Sequence, residues 1–346
     1  MRAINKFLII ILFYITSYCV HAHSVTVADI INPDGTITDL VIDILGHAGI
    51  RINGVSEKED WAPERARITS KHCEDVMQLI QGKNPDYPKI AWLISANKER
   101  WEADTTSHIP EKNIFAILNL TLKASDNTVK RLNMGAATYP KQTHYDGIVL
   151  LGSTLGDFKS RVCFLNNLIK TKKIIAIPAS TQIYTLTGKR AFNDAEQTML
   201  REKGEVELLK ANNEKEGLSW VFAQEKSGAL DQFTPILISD DTPTAKRATT
   251  ESTARLFIDQ QKCTSSKNYL FVSSHIFTLY QYLIIKRVAA ESNFQGSIDI
   301  CGTSIATSER GRYPLHQKFN MILDNFARIF YEICAYKKLT RLYPRS

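Results

Sequence analysis

Apolar positions along this chain fall into short unbroken runs separated by stretches with helical spacing. The clearest run is Ile148, Val149, Leu150 and Leu151, inside YDGIVLLGSTLGDFKSR at residues 145–161. Four consecutive apolar residues ending in a turn read as a strand buried on both faces. The run breaks at Gly152 into Ser153, Thr154 and Gly156, and a helical pattern follows from about Asp157 to Lys170. The alternation then repeats. KIIAIPAS supplies a second buried run, residues 174–177, ended by Pro178, and a polar loop over 181–189 leads to a long helical stretch with Asp194 and Glu196 in its first turn. PILIS at 235–239 reads as the third strand, followed by a helix from about Thr244 to Gln261. YLFVSS at 269–274 is the fourth, followed by a helix over about 277–291, and SIDICG is the fifth. Strands separated by helices of this length predict βαβ crossovers. The expected fold is therefore α/β, a Rossmann-like open, mostly parallel sheet with helices on both faces. An amphipathic helix over 315–336 closes the chain.

The first 140 residues are less regular. Arg2 and Lys6 precede an apolar run over 7–18, and Val20 and Ala22 stand where a signal peptidase reads small residues, which predicts cleavage after Ala22 and export to the periplasm or beyond. The run is short for a membrane span, which needs about 20 apolar residues; an uncleaved anchor is the alternative. Beyond it, residues 39–45 read DLVIDIL, 68–80 have helical spacing through Cys73, Val76, Met77 and Ile80, and IAWLIS at 90–95 and IFAILNLTL at 114–122 read as strands. Trp61, Trp92 and Trp101 read as core contacts, and Asn119 with Thr121 matches a glycosylation sequon. The division is a signal peptide at 1–22, an N-terminal α/β extension at 23–140, the Rossmann-like domain at 141–310, and a helix with a basic tail at 311–346.

Composition narrows the class. With 346 residues, 44% hydrophobic and 23% charged, the chain is globular. Loss of the leader removes Arg2 and Lys6 and lowers the net charge from +7 to about +5, a mild excess that does not call for nucleic acid. Lys337, Lys338, Arg341 and Arg345 form a basic tail suited to a solvated helix end or to peripheral contact with an anionic membrane. Five cysteines follow the leader, at 73, 163, 263, 301 and 334, with no CxxC pair, so no zinc site is indicated. The odd count leaves at least one thiol without an internal partner, and Cys163 and Cys301 read as core packing.

In an open parallel sheet, ligands bind beyond the carboxyl ends of the strands, where strand order reverses. That rule selects Gly152, Ser153 and Thr154 after the first strand, Ala179, Ser180 and Thr181 after the second, Asp240, Asp241 and Thr242 after the third, and Ser273, Ser274 and His275 after the fourth. Short hydroxyl donors suit a small phosphorylated or ribose-bearing ligand, with Asp157 at the helix start and Arg161 either reaching that anion or pairing with Asp157 across i,i+4. Thr250 and Glu251 lie inside the helix after the third strand, Glu251 serving as a ligand contact or a solvated face. There is no GxSxG elbow, no P-loop lysine and no full GxGxxG, and Ser274 and His275 point to opposite faces and do not form a dyad.

Taken together, residues 145–304 resemble the YdcF, SanA and ElyC domain family of bacterial envelope proteins. YDGIVLLGS resembles the family's first strand and glycine turn, Arg161 its helix arginine, DAEQTMLREKG its acidic segment through Glu196, ATTES at 248–252 its Thr and Glu motif, and FVSSHIFTLYQ its later strand end. The chain departs from the family pattern at Ser153, Ser252, Phe277 and Tyr280. The resemblance implies a Rossmann-like domain in envelope maintenance, with no cofactor specified. Two functions stay open: a pocket for a phosphorylated or nucleotide-like ligand acting in envelope precursor metabolism, or a non-catalytic interaction protein with a degenerate site.

Overall fold

The computed structural model describes residues 25–48, 50–52, 66–68, 75–76, 111–123, 130–174, 180–188, 191–192, 197–198, 213–241, 248–261, 267–307, 311 and 313–342. The leader, Glu196, the three tryptophans named above and the 90–95 run lie outside them.

In the extension, α1 (Asp39–His47) is followed by a two-stranded parallel pair, β1 (Ile50–Ile52) and β2 (Ala66–Ile68), and then by α2 (Glu111–Leu122). The main sheet contains β3 (Gly147–Leu150), β4 (Gln182–Gly188), β5 (Ile236–Asp240), β6 (Asn268–Ser274) and β7 (Ser297–Thr303). All five are parallel, in the order β5-β4-β3-β6-β7. The chain starts at the central strand, builds outward to β5, and returns to the other side of β3. Strand order therefore reverses between β3 and β6, and the expected Rossmann-like α/β architecture is present.

Alternation along the buried strands assigns the faces. Ile148, Leu150, Leu270 and Val272 pack with Phe158, Val162 and Leu165 of α3 (Leu155–Lys170) and with Leu218 and Phe222 of α4 (Glu214–Glu225). Val149, Leu151 and Phe271 pack the other way, with Phe257 of α5 (Thr250–Gln261), Ile284 of α6 (Thr278–Glu291) and Phe330 of α7 (Leu315–Leu342). Phe257 meets Tyr184, Tyr269 and Phe271 edge-on at 5.1, 5.1 and 5.5 Å, contacts worth about 0.5–1.5 kcal/mol each beyond area burial. Ile44 of α1 and Ile117 of α2 belong to the same apolar cluster as α6 and α7, so the extension shares that core.

Several expectations are corrected. Residues 114–122 form most of α2, not a strand: Ile114, Ile117, Leu118 and Thr121 recur at helical spacing and are buried, while Phe115 faces solvent. Of the expected second strand at 174–177, only Ile174 lies among the described residues, and the strand described beside β3 is a different one. It is β4, where a polar loop was expected, because Ile183, Tyr184, Thr185, Leu186 and Thr187 alternate between faces that are both covered. Residues 180 and 181 consequently lie at its amino end, away from the ligand-binding edge. Helix α4 follows from NEKEGLSWVFAQE, a segment with no expected element. Cys301 is buried as expected, whereas Cys163 is exposed on α3. Among the described residues, no helix is long and apolar enough to cross a membrane.

Candidate functional site

The switch point lies between the carboxyl ends of β3 and β6. Thr154 caps α3, its hydroxyl accepting from the Asp157 amide at 3.4 Å, so α3 begins directly beyond the strand. Gly152 makes the intervening turn possible: a Cβ there would lie 2.3 Å from the Leu186 carbonyl oxygen and 3.2 Å from Glu214 Oε1. Ser153 donates to Asp157 Oδ2 at 3.1 Å. Asp157 and Glu214 are almost completely buried, so two carboxyl side chains from α3 and α4 stand near this turn.

Arg161 is only 1% exposed. Its Nε donates to Ser274 Oγ at 2.9 Å, and its Nη1 donates to the Gly152 carbonyl at 3.0 Å and to the Leu151 carbonyl. The guanidinium thus ties the end of β3 to the end of β6. A planar fork with several donors in fixed directions can hold three acceptors in this way; a lysine ammonium cannot.

The opposite face carries the other half of the motif residues. Ser273 donates to Gln281 Oε1 of α6, and Gln281 Nε2 donates to Thr250 Oγ1 at 3.3 Å. Thr250 is the first residue of α5, not an interior one. Thr249 and Ser252 form a reciprocal cap, with the Ser252 amide on Thr249 Oγ1 at 3.0 Å and the Thr249 amide on Ser252 Oγ at 3.1 Å. Glu251 accepts from Arg255 at 3.2 Å and from Arg287 at 2.8 Å. Those arginine contacts, Arg287 foremost, lower its carboxyl pKa against the opposing effect of burial. Arg287 also binds Glu291 at 3.0 Å and the buried Glu332 of α7 at 2.7 Å. Burial pulls the Arg287 pKa down, but its carboxylate partners more than offset this and the net direction is upward. The ATTES segment therefore caps a helix and ties α5 to α6 and, through Arg287, to α7.

His275 is turned into the interior, with its ring between the 130–140 segment and β7. Nδ1 faces the Met134 carbonyl and so carries the proton, and Nε2 accepts from the Thr138 hydroxyl at 3.2 Å. Burial lowers its pKa to about 4, against a smaller upward effect of the Met134 carbonyl. Phe277 and Tyr280 are buried in the core; Arg328 lies over the Tyr280 ring at 5.6 Å and is bound to Asp324 at 2.9 Å.

The structure thus places Gly152, Ser153, Asp157, Arg161 and Ser274 together on the α3 face, and Ser273, Thr250 and Glu251 on the α5 and α6 face. His275 belongs to a third cluster. Glu214 was missed by sequence reasoning because its helix was not expected; an Asn cap followed by two glutamates within the first turn was the available signal. Among the described residues, no group of three or more His, Cys, Asp and Glu side chains could hold a metal ion. Comparison with protein-family models, curated proteins and solved structures finds no match.

Proposed function

We propose that this chain is an exported interaction protein, a divergent relative of the YdcF, SanA and ElyC domain family, that keeps the fold with its switch point closed by internal bonds. One observation carries this reading. Arg161, the cation nearest the turn in the described structure, is buried and engaged with two backbone carbonyls and Ser274, so it braces the turn and does not present a free anion-binding edge. The first turn of α3 holds its own carboxylate, Asp157, where a phosphate would otherwise profit from the helix dipole.

A second reading retains a phosphorylated or nucleotide-like ligand in envelope precursor metabolism. It is favoured by three charged side chains, Asp157, Arg161 and Glu214, buried near the carboxyl end of β3, where open α/β sheets bind ligands. Thermal-shift measurements on the chain without residues 1–22 separate the two. Nucleotides, S-adenosylmethionine and polyprenyl phosphates are expected to leave the midpoint unchanged. A midpoint raised by any of them and restored to the unliganded value in Ser153→Ala would establish the second reading and remove the first.

A further inference from the structure

Residues 130–140 lie between α2 and β3 in the chain, and they touch the main sheet at its β7 edge. Thr138 forms an antiparallel bridge to Gly302, with its amide on the Gly302 carbonyl at 3.0 Å and the Gly302 amide on its own carbonyl at 3.1 Å. The Ile305 amide donates to the Gly135 carbonyl at 2.9 Å. At its other end the strip is tied to α2, the Leu132 amide reaching the Leu120 carbonyl at 2.8 Å and the Met134 amide the Thr121 carbonyl at 2.7 Å. This short strip joins the extension to the sheet.

His275 is the side chain that grips it from the sheet side. Its backbone amide donates to the Thr303 carbonyl at 3.1 Å, which anchors the residue to β7, and its ring then bonds Met134 and Thr138 through its two nitrogens. The contact is tight. A Cβ on Gly302 would lie 2.4 Å from Thr278 Oγ1, which would have to shift, and in van der Waals contact with Thr138 Oγ1 at 3.4 Å and the His275 ring at 3.5 Å. We propose that His275 is an acid-sensitive latch: protonation of its ring releases the Met134 to Thr138 strip and frees the carboxyl end of the β7 edge.

The chemistry follows from the tautomer. The neutral ring donates at Nδ1 and accepts at Nε2, and each nitrogen has a partner of the right kind. A proton added at Nε2 reverses its bond with Thr138, whose hydroxyl must turn to accept, and it places a full charge on a ring that is 1% exposed. Among the described residues, the groups around the ring are neutral. They are the Met134 carbonyl and Thr138 hydroxyl from the strip, Gly302 and the Thr303 carbonyl from β7, and Thr278 at the start of α6; α7 adds Asn325, which holds the neighbouring Ile276 carbonyl at 2.9 Å. Among the described residues no carboxylate or cation contributes to the shift, and none of them compensates the new charge. Its folded pKa of about 4 lies below the ordinary histidine value of 6.5. The open state therefore binds the proton more tightly. The latch is fully closed above about pH 6.5 and weakens as the pH falls toward 4. Opening would unpair the Gly302 amide and carbonyl, the kind of edge to which another extended segment can add.

Hydrogen exchange of the full chain tests this, with rates corrected for the intrinsic pH dependence of amides. Protection at Thr138 and Gly302 should fall about tenfold per pH unit between about pH 6.5 and 4, while Val149 and Phe271 in the sheet centre keep theirs. In His275→Asn, whose amide can still donate to Met134 but cannot titrate, the fall should vanish. Protection that does not change with pH, an equal loss at Val149 and Phe271, or the same slope in the variant would each overturn the proposal. Should the variant not fold, titration of the His275 ring in the natural chain decides: a value near 4 supports the latch, and one near 6.5 overturns it.

Discussion

Ser273 and Ser274 are neighbours at the carboxyl end of β6, both completely buried, yet they belong to opposite faces held by different physics. On the α3 face, Ser274 accepts from Arg161, as do main-chain carbonyls of the β3 end and its turn. On the α5 and α6 face, Ser273 meets a neutral relay through Gln281 to Thr250, and the charge is carried farther out by Arg287 and its three glutamates. The first arrangement controls the path of the backbone; the second holds helices to one another. A strand end in an open sheet can thus look like a binding motif on both faces while its polar side chains position structure on each.

Removing Arg161 should therefore have the largest effect. Arg161→Met leaves two carbonyls and a buried hydroxyl without their donor, at about 1–3 kcal/mol for each buried unsatisfied group. A loss of about 3–5 kcal/mol in denaturant unfolding is expected, and Arg161→Lys should recover only part of it. A loss below about 1 kcal/mol would remove the asymmetry between the faces.

Arg287→Met on the other face should cost about 3 kcal/mol at neutral pH, because Glu332 remains buried without its main partner. This loss should shrink on acidification. Burial already raises the Glu332 carboxyl pKa, against the lowering effect of Arg287, and removal of that cation raises it further. A carboxyl with a folded pKa above its unfolded value stabilises the fold as it takes up its proton, so the variant should regain stability as the pH falls through that range. A cost independent of pH would show that Glu332 does not stay buried. The smallest effect is expected for Ser273→Ala, about 1–2 kcal/mol, since one neutral hydroxyl is removed and the acceptor that depends on it is Gln281 Oε1. A larger cost than that of Arg161→Met would invert the comparison.

How much of this was legible varied with the local signal. The parallel sheet could be read because β3, β5, β6 and β7 are apolar runs with helical spacing between them, and Gly152 could be read as the turn. β4 was missed because QIYTLTG carries threonines that are buried between two covered faces, and a polar residue in a doubly covered strand looks like a loop in isolation. Residues 114–122 of α2 read as a strand because IFAILNLTL is apolar at nearly every position, which hides a 3.6-residue period.

The site shows the same boundary more sharply. Short-range sterics and the period of burial set the strand-turn-helix unit at residues 147–170 and the residue types at its carboxyl end, so these could be read from the chain alone. What those residues do is set by the folded partners they meet. Whether Arg161 faces a ligand or a carbonyl, whether Glu251 meets solvent or Arg287, and whether His275 opens to a pocket or grips Met134 all depend on partners between 9 and 141 positions away. Hydrogen bonds and ion pairs are set by the meeting of distant segments, and no local pattern encodes which acceptor a donor will find.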